Sequence, residues 1–243
     1  SLTWQWVTNY WLAATSTSAN GGVDVAPGFF PLGSNVTITA TPSNGWHFVD
    51  WTGDVVTNVN PLTVAMTRPY TNIQANFAIN SYDITATSGP GGGIAPAGTV
   101  WVEHGGETNF SIVPAAHYHV TNVVVDGVSV GVTSGWTFVN VTNGGHTIAA
   151  NFGVDQYALT VTSAYGASTP AGTTTNDWNA LIEASVGGSP TNSGGMQYVC
   201  VGWTGTGSAT NGAGTNTNFS ITNTSSLTWQ WVTNYWLAAT STS

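Results

Sequence analysis

The 18 residues SLTWQWVTNYWLAATSTS occur twice in the chain, at residues 1–18 and again at residues 226–243. A perfect match of this length does not arise by chance, so the sequence has a period of 225 residues followed by an 18-residue overlap. Exact repetition is typical of arrays in which every unit contacts its neighbours in the same way. Two origins fit the overlap: an excerpt from a longer tandem array, or terminal strands that overlap when copies assemble.

A shorter and more divergent repeat lies inside this period. Three modules and the start of a fourth open on tyrosines spaced 72, 75 and 78 residues apart, at Tyr10, Tyr82, Tyr157 and Tyr235. The middle of each module carries bulky residues at one spacing, in Trp46-x-Phe48-x-x-Trp51, Tyr118-x-Val120-x-x-Val123 and Tyr198-x-Cys200-x-x-Trp203. Each module also ends on a similar strand, at residues 73–77, 148–152 and 227–231.

These anchors predict the domain organisation. Modules 1, 2 and 3 are assigned to residues 10–81, 82–156 and 157–234. Residues 1–9 are interpreted as the closing strand of a preceding module, and residues 235–243 as the opening strand of a following one.

The repeated positions also predict the module cores. Cys200 occupies the position of Phe48 and Val120, which favours a small buried hydrophobic residue over a reactive thiol. The predicted core residues are Trp46, Phe48, Trp51, Phe77, Tyr118, Val120, Phe152, Tyr198, Cys200 and Trp203.

Strand signals dominate the secondary-structure pattern, because apolar and β-branched polar residues alternate in most segments. Asp126-Gly127 and Asn143-Gly144 predict two hairpin turns, and residues 177–183 are the one place where a short helix is expected. The predicted fold class is all-β, with four to six short strands per module. Small β-sandwiches and β-grasp-like sheets both fit. The links between modules are short and lack Gly/Ser or Pro-rich tethers, so we expect a semi-rigid rod.

Charge excludes several classes of partner. Only 5% of the residues are charged, Arg68 is the single basic residue, and the formal net charge is -9. Binding of nucleic acid or of an anionic membrane surface needs clustered Lys and Arg, so neither is expected. No run of 18 apolar residues is present, so no membrane span is expected in this segment.

The sequence offers no convincing catalytic or metal site. Asp50 and Asp54 flank Trp51-Thr52-Gly53, where turn chemistry explains them better than acid–base catalysis. His117 and His119 have a spacing that can bind a transition metal, but structural or surface histidines are the better interpretation. We therefore expect no enzymatic activity and no cofactor.

The tryptophans leave three interpretations open: core of the third module, contact between modules or chains, and stacking on sugar rings. Those on the closing and opening strands, and two without a repeat counterpart, form the candidate set of inter-module or inter-chain contacts: Trp4, Trp6, Trp11, Trp101, Trp136, Trp229, Trp231 and Trp236.

The motif Trp46-x-Phe48-x-x-Trp51-x-Gly53, followed by the closing strand Ala75-Asn76-Phe77, resembles the divergent internalin B-repeat-like modules of bacterial secreted and cell-surface proteins. The resemblance is best in module 1, and modules 2 and 3 look like related variants. It implies a large extracellular or cell-surface repeat protein. Its motifs are structural, so they imply a type of module and no activity.

The leading hypothesis is a structural repeat unit of an extracellular filament, stalk or fibre, whose partner is itself, as a homopolymer or a covalent tandem array. The alternative is an adhesin or carbohydrate-binding arm of a bacterial cell-surface protein, whose partners would be surface glycans. If separate copies polymerise, the overlap suggests that a terminal strand of one copy completes the sheet of the next.

Overall fold

The computed structural model describes residues 1–237 and contains 24 β-strands and no helix within them. The contacts divide it into two compact units: residues 1–88, 93–112 and 122–150, and residues 89–92, 113–121 and 151 onward. Both units include part of residues 82–156. The bounds assigned to the three modules therefore stay a prediction, and residues 238–243 of the predicted following strand lie outside the described residues.

The strands fall into three successive groups of eight. The first group is β1 (Asn9–Ser16), β2 (Gly21–Val23), β3 (Gly28–Pro31), β4 (Asn35–Ile38), β5 (Ala40–Pro42), β6 (Trp46–Gly53), β7 (Leu62–Ala65) and β8 (Tyr70–Ile79). The second group is β9 (Ser81–Ser88), β10 (Gly92–Ala95), β11 (Gly98–Glu103), β12 (Gly106–Pro114), β13 (Tyr118–Val125), β14 (Val128–Gly131), β15 (Gly135–Val141) and β16 (His146–Val154). The third group is β17 (Gln156–Ser163), β18 (Ser168–Thr169), β19 (Gly172–Asp177), β20 (Ala180–Val186), β21 (Thr191–Ser193), β22 (Met196–Thr206), β23 (Asn216–Ile221) and β24 (Ser225–Tyr235).

The three groups share one topology. The first strand of each group pairs parallel with the last, as β1–β8, β9–β16 and β17–β24. It also pairs antiparallel with the third strand of its group, as β1–β3, β9–β11 and β17–β19. The larger sheets run β3-β1-β8-β6, β11-β9-β16-β13-β14 and β19-β17-β24-β22-β21. The strands that close and open the sequence repeat thus lie at the centre of every large sheet.

A second, smaller sheet belongs to each group. It is β10-β12-β15 in the second group and β18-β20-β23 in the third. In the first group it is split into the pairs β2–β5 and β4–β7, because β4 and β5 are interrupted at Thr39.

The cores of modules 1 and 3 lie between the two sheets. Alternate residues of each strand point inward, as a strand with one buried face requires. In module 3 the large sheet contributes Leu159, Val161, Leu227 and Trp229, and the small sheet contributes Ile182, Ala184, Val186 and Ile221. Module 1 repeats the pattern with Leu12, Ala14, Ile73 and Ala75 facing Val36, Ile38, Leu62 and Val64. Both modules are therefore sandwiches, the first of the two predicted alternatives.

Three local expectations differ from the structure. Residues 177–183, the candidate helix, instead include the ends of β19 and β20 and the tight turn between them. Each group has eight strands and not four to six, because several are only two to four residues long. Asn143-Gly144 does not close a hairpin, since β15 pairs with β12 in the small sheet whereas β16 pairs with β9 in the large one.

The Asp126-Gly127 hairpin is confirmed. Val125 pairs with Val128 across it, and φ is +49° at Asp126 and +77° at Gly127. Two positive φ angles in succession are the signature of the tight turn that suits the twist of paired strands. The Asp126 carboxylate accepts hydrogen bonds from Thr147 N and His146 Nδ1. Burial opposes ionisation of Asp126, but these two donors outweigh it and lower its pKa.

Candidate functional site

The two copies of the 18-residue repeat are in different environments. Residues 226–235 lie in β24, at the centre of the large sheet of module 3, where Trp229 is 2% exposed. The identical residues 1–8 form no strand, and their apolar side chains are almost wholly exposed: Leu2 94%, Trp4 84% and Trp6 93%. The second half of the first copy, from Asn9, forms β1 of module 1. One 18-residue sequence therefore contains a closing strand followed by an opening strand.

The other candidate tryptophans take several places. Trp231 is half-buried against the core of module 3 and donates from Nε1 to Ser163 Oγ at 3.0 Å. Trp136 is half-buried, edge-on to Phe138. Trp236 is exposed beyond β24.

Trp11 and Trp101 lie on the outward face of their sheets. Trp11 is paired with Phe29 and contacts it edge to face at 5.0 Å. Trp101 lies opposite Asp83 in the same pair of strands of module 2, at the position of Phe29, and is exposed. The two neighbouring modules thus present aromatic side chains at equivalent outward positions.

The predicted core positions are buried to different degrees. Trp51, Tyr198 and Cys200 are buried. Phe48, Phe77 and Trp203 are partly buried and packed on the cores. The remaining four are half-buried: Trp46, Tyr118, Val120 and Phe152.

Strand register supports the alignment of Cys200 with Phe48. Phe48 pairs with Phe77, and Cys200 pairs with Trp231. A bulge follows each pair before the motif tryptophan.

The paired carboxylates of module 1 act as structural acceptors. Asp50 Oδ1 accepts from Asn76 Nδ2 at 2.7 Å. Asp54 Oδ2 accepts from the backbone N–H of Asn72 and Thr71, and these bonds, with Arg68 nearby, lower the pKa of Asp54. Both carboxylates therefore hold loops in place.

A repeated arrangement of residues joins module 1 to module 2. We use the term corner for the residue that precedes the first motif residue of each module; in module 1 this is Gly45, at φ +80°. Gly45 O accepts from Asn80 N at 2.8 Å, and Asn80 O accepts from His104 N at 2.8 Å. The His104 ring covers Gly45 so closely that a Cβ there would lie 2.1 Å from Cδ2 of His104. Asn80 Oδ1 lies 2.8 Å from Nδ1 of His47.

Module 2 is joined to module 3 by the same set of contacts. Its corner residue is His117, at φ +66°. His117 O accepts from Asp155 N at 2.9 Å, and Asp155 O accepts from Trp178 N at 2.7 Å. The Trp178 ring stacks on the His117 ring at 3.8 Å and 5°. His119 Nδ1 lies 3.0 Å from Oδ1 of Asp155, as His47 does from Asn80.

These contacts explain the His-x-His pair. His117 packs on a tryptophan and His119 pairs with an aspartate, which is the structural alternative to a metal site. Within residues 1–237, no group of three or more His, Cys, Asp and Glu side chains is placed to hold a metal ion. The described chain also contains no helix with the length and apolarity needed to cross a membrane.

Module 3 presents its corner position to an open cleft. Gln197 stands where Gly45 and His117 stand in the other modules, and Asn234 stands where Asn80 stands. A cleft of about 510 Å³ lies here, lined by Asn192, Ser193, Gly194, Gly195, Met196, Gln197, Asn234, Tyr235 and Trp236.

Module 1 carries the matching counterpart. Leu32 N donates to Thr8 O at 2.9 Å, as His104 N and Trp178 N donate to their linkers. Leu32 is 56% exposed. The chain therefore has an exposed counterpart of His104 in module 1 and an open corner in module 3.

Sequence reasoning considered His104, His117 and Trp178 separately and missed that they belong to one repeated arrangement. A signal was present: Asn80 and Asp155 both stand two residues before an opening tyrosine, and Gly45 and His117 both precede the first motif residue. Residues as unlike as Gly and His, or His and Trp, hide the equivalence, because the arrangement depends on backbone bonds.

The tandem sandwich topology with its Trp-x-Gly motif is now available for comparison with known families. Residues 12–81 match the divergent InlB B-repeat domain. This InlB B-repeat match coincides with module 1, where the resemblance was expected. InlB B-repeat-like domains occur as repeats in bacterial surface proteins. No curated protein and no solved structure shows a significant match to the chain.

Proposed function

We propose that the chain is a structural repeat unit of an extracellular filament, stalk or fibre, built from tandem β-sandwich modules and joined to further copies of itself. The observation that carries the proposal is the division of the 18-residue repeat into a closing strand and an opening strand. A sequence of this kind specifies where one module ends and the next begins.

The repeated junction supports the same function. Two successive module boundaries use the same backbone bonds and the same ring-on-corner contact, with linkers of only a few residues. Quasi-one-dimensional repeat proteins gain stability from such nearest-neighbour contacts. A regular junction also gives every period the same geometry, which a linear polymer requires.

In this proposal the chain has no catalytic activity and needs no cofactor. The carboxylates of Asp50 and Asp54 are engaged by hydrogen-bond donors of their own module. The histidine pair is engaged by Trp178 and Asp155. The residues with the strongest chemical potential thus have structural tasks.

The test is a set of chains with one, two and four periods, each joined so that residue 225 is followed by residue 1 of the next period. Electron microscopy should show particles whose length increases by an equal step for each added period. A matched set with a 20-residue Gly/Ser segment inserted at each join should lose this regular increment, because flexible linkers behave as random coils. Compact particles without a regular axial increment in the unmodified set would refute the filament proposal.

A second candidate function is that of a carbohydrate-binding adhesin arm, favoured by the exposed outward aromatics at Trp11, Phe29 and Trp101. An aromatic platform of this kind can stack on sugar rings. Glycan-array binding that is lost in Trp101→Ala, and retained in the equally exposed control Val128→Ala, would support it. Equal behaviour of the two variants would refute it.

A further inference from the structure

Residues 1–8 have the sequence of a strand whose environment the structure shows. They read SLTWQWVT, identical to residues 226–233 of β24. In β24 the side chains of Leu227 and Trp229 are buried in the core of module 3, whereas their equivalents Leu2 and Trp4 are exposed. The N-terminal segment is therefore a second, unpaired copy of a central strand.

From this we propose that residues 1–8 of one copy replace residues 226–233 in module 3 of a second copy, and that Leu32 of the incoming copy then covers the module 3 corner at Gln197. The inference deepens the proposed function, on which it rests, by naming the strand and the corner through which two copies join.

Strand replacement conserves the contacts of β24. Because the incoming residues are identical, they can form the same parallel ladder with β17 and the same antiparallel ladder with β22. The incoming side chains leave water while the displaced ones enter it, so the exchange itself is close to neutral. Any additional contact between the two copies then decides the balance.

The corner supplies that contact. In the replaced arrangement, Thr8 of the incoming copy stands at the linker position of module 3 and Leu32 follows it, bonded to Thr8 O. His104 and Trp178, bonded to their linkers in the same way, lie on Gly45 and His117. By the same geometry Leu32 is directed at Gln197 and into the 510 Å³ cleft beside it. The pairing buries an exposed apolar side chain that has no such cover in the single chain.

The experiment traps the exchanged strand by a disulfide in refolded full-length chains. Thr204 pairs with Thr228 in β22–β24, so it would face Thr3 of an incoming copy. Directly opposed residues in an antiparallel pair are close enough for a disulfide. A donor chain carries Thr3→Cys, and a receptor chain with a different tag carries Thr204→Cys; both keep the buried Cys200. The two are unfolded together, refolded by dilution, oxidised and separated on a non-reducing gel.

The result expected is a donor–receptor heterodimer, which only exchange between copies can produce. A donor with Val7→Cys provides the matched control. Val7 is exposed to a similar degree in the single chain, but in the exchanged strand it would lie four residues, or about 13 Å, from the position opposite Thr204. It should give no heterodimer above background. No heterodimer with Thr3→Cys, or equal amounts with Val7→Cys, overturns strand exchange.

A second receptor keeps the test decisive if competition from its own β24 hides the product. Trp229→Asp in the receptor disables its own strand, which otherwise competes at an effective concentration on the order of millimolar. The heterodimer yield is expected to rise at least about tenfold. If this receptor fails to fold, the intact receptor is refolded with donor at roughly millimolar concentration, where intermolecular and intramolecular strands compete evenly. Absence of heterodimer there too overturns the proposal.

The corner contact has its own variant. Leu32→Asp in the donor should lower the heterodimer yield by roughly tenfold, a factor typical of one partly buried leucine side chain. Leu181→Asp, at a similarly exposed leucine of β20, should leave the yield unchanged. Equal yields for the two variants overturn the corner contact. The concatenated chains described above carry a peptide bond at each join, so their filaments can form even when strand exchange fails, and the two failures are distinguishable.

Discussion

Gly45 illustrates how a single residue permits a junction. Its positive φ disfavours any side chain, and His104 lies where its Cβ would be. Gly45→Ala should therefore lower the free energy of unfolding by about 2–4 kcal/mol, of which about 1 kcal/mol is the cost of the backbone conformation. Gly33→Ala is the matched control, because Gly33 has the same φ sign but open space around it. It should show the backbone cost alone in urea unfolding.

The two contributions at Gly45 can be separated. Removing the ring with His104→Ala in the Gly45→Ala background should recover the steric part of the loss. A double-mutant cycle that shows no coupling between the two positions would mean that the ring does not cover Gly45 in solution.

Asp54 gives a prediction about acid. Its pKa is lowered in the folded chain by the N–H groups of Asn72 and Thr71. A lowered folded-state pKa contributes stability above the unfolded-state value, near 3.8, and this stability is lost as pH falls through the folded-state value. Urea unfolding at pH 7, 4 and 3 should therefore show a smaller loss of stability below pH 4 in Asp54→Asn than in the unmodified chain.

The control for the acid series is Glu107→Gln, at an exposed carboxylate of β12. It should retain the acid-dependent loss of the unmodified chain. If Asp54→Asn and Glu107→Gln have the same pH profile, the bonds to Asp54 do not contribute to acid sensitivity.

The strand β24 and residues 1–8 form a natural comparison between identical sequences. Trp229→Ala removes a buried ring and should lower the free energy of unfolding by about 3–5 kcal/mol. Trp4→Ala removes the same side chain from an exposed place and should change stability by less than about 0.5 kcal/mol in dilute solution. Thermal and urea unfolding of the two variants measures the difference. Similar losses would mean that residues 1–8 are also packed in dilute solution.

Local strand patterns predicted the elements better than their connections. The alternation in β4 or β17 indicates a half-buried strand because side chains on one face must be apolar, whatever the partner strand is. Asn143-Gly144 has the composition of a hairpin turn, but turn residues specify only that the chain reverses. Whether the next strand joins the same sheet depends on long-range pairing of β16 with β9, which no local pattern contains.

The candidate site shows a second limit of sequence reasoning. Trp51 and Trp203 could be predicted as bulky inward-facing residues, since the same residue type recurs at the same spacing. The junction could not be recognised in this way, because its bonds run between backbone groups of Gly45 and Asn80, or of His117 and Asp155. Backbone bonds constrain φ and position while leaving residue type almost free.

The charge of the whole molecule determines how copies should respond to salt. With one basic and ten acidic residues, copies repel weakly and have almost no complementary charges to attract one another. Salt screens repulsion between exposed charges, so the yield of donor–receptor heterodimer should rise between about 20 mM and 500 mM NaCl. The increase should be less than about fivefold, because exposed charges contribute at most about 1 kcal/mol each. A yield that falls as salt is added would mean that attraction between charges, and not the exchanged strand with its apolar corner contact, holds the copies together.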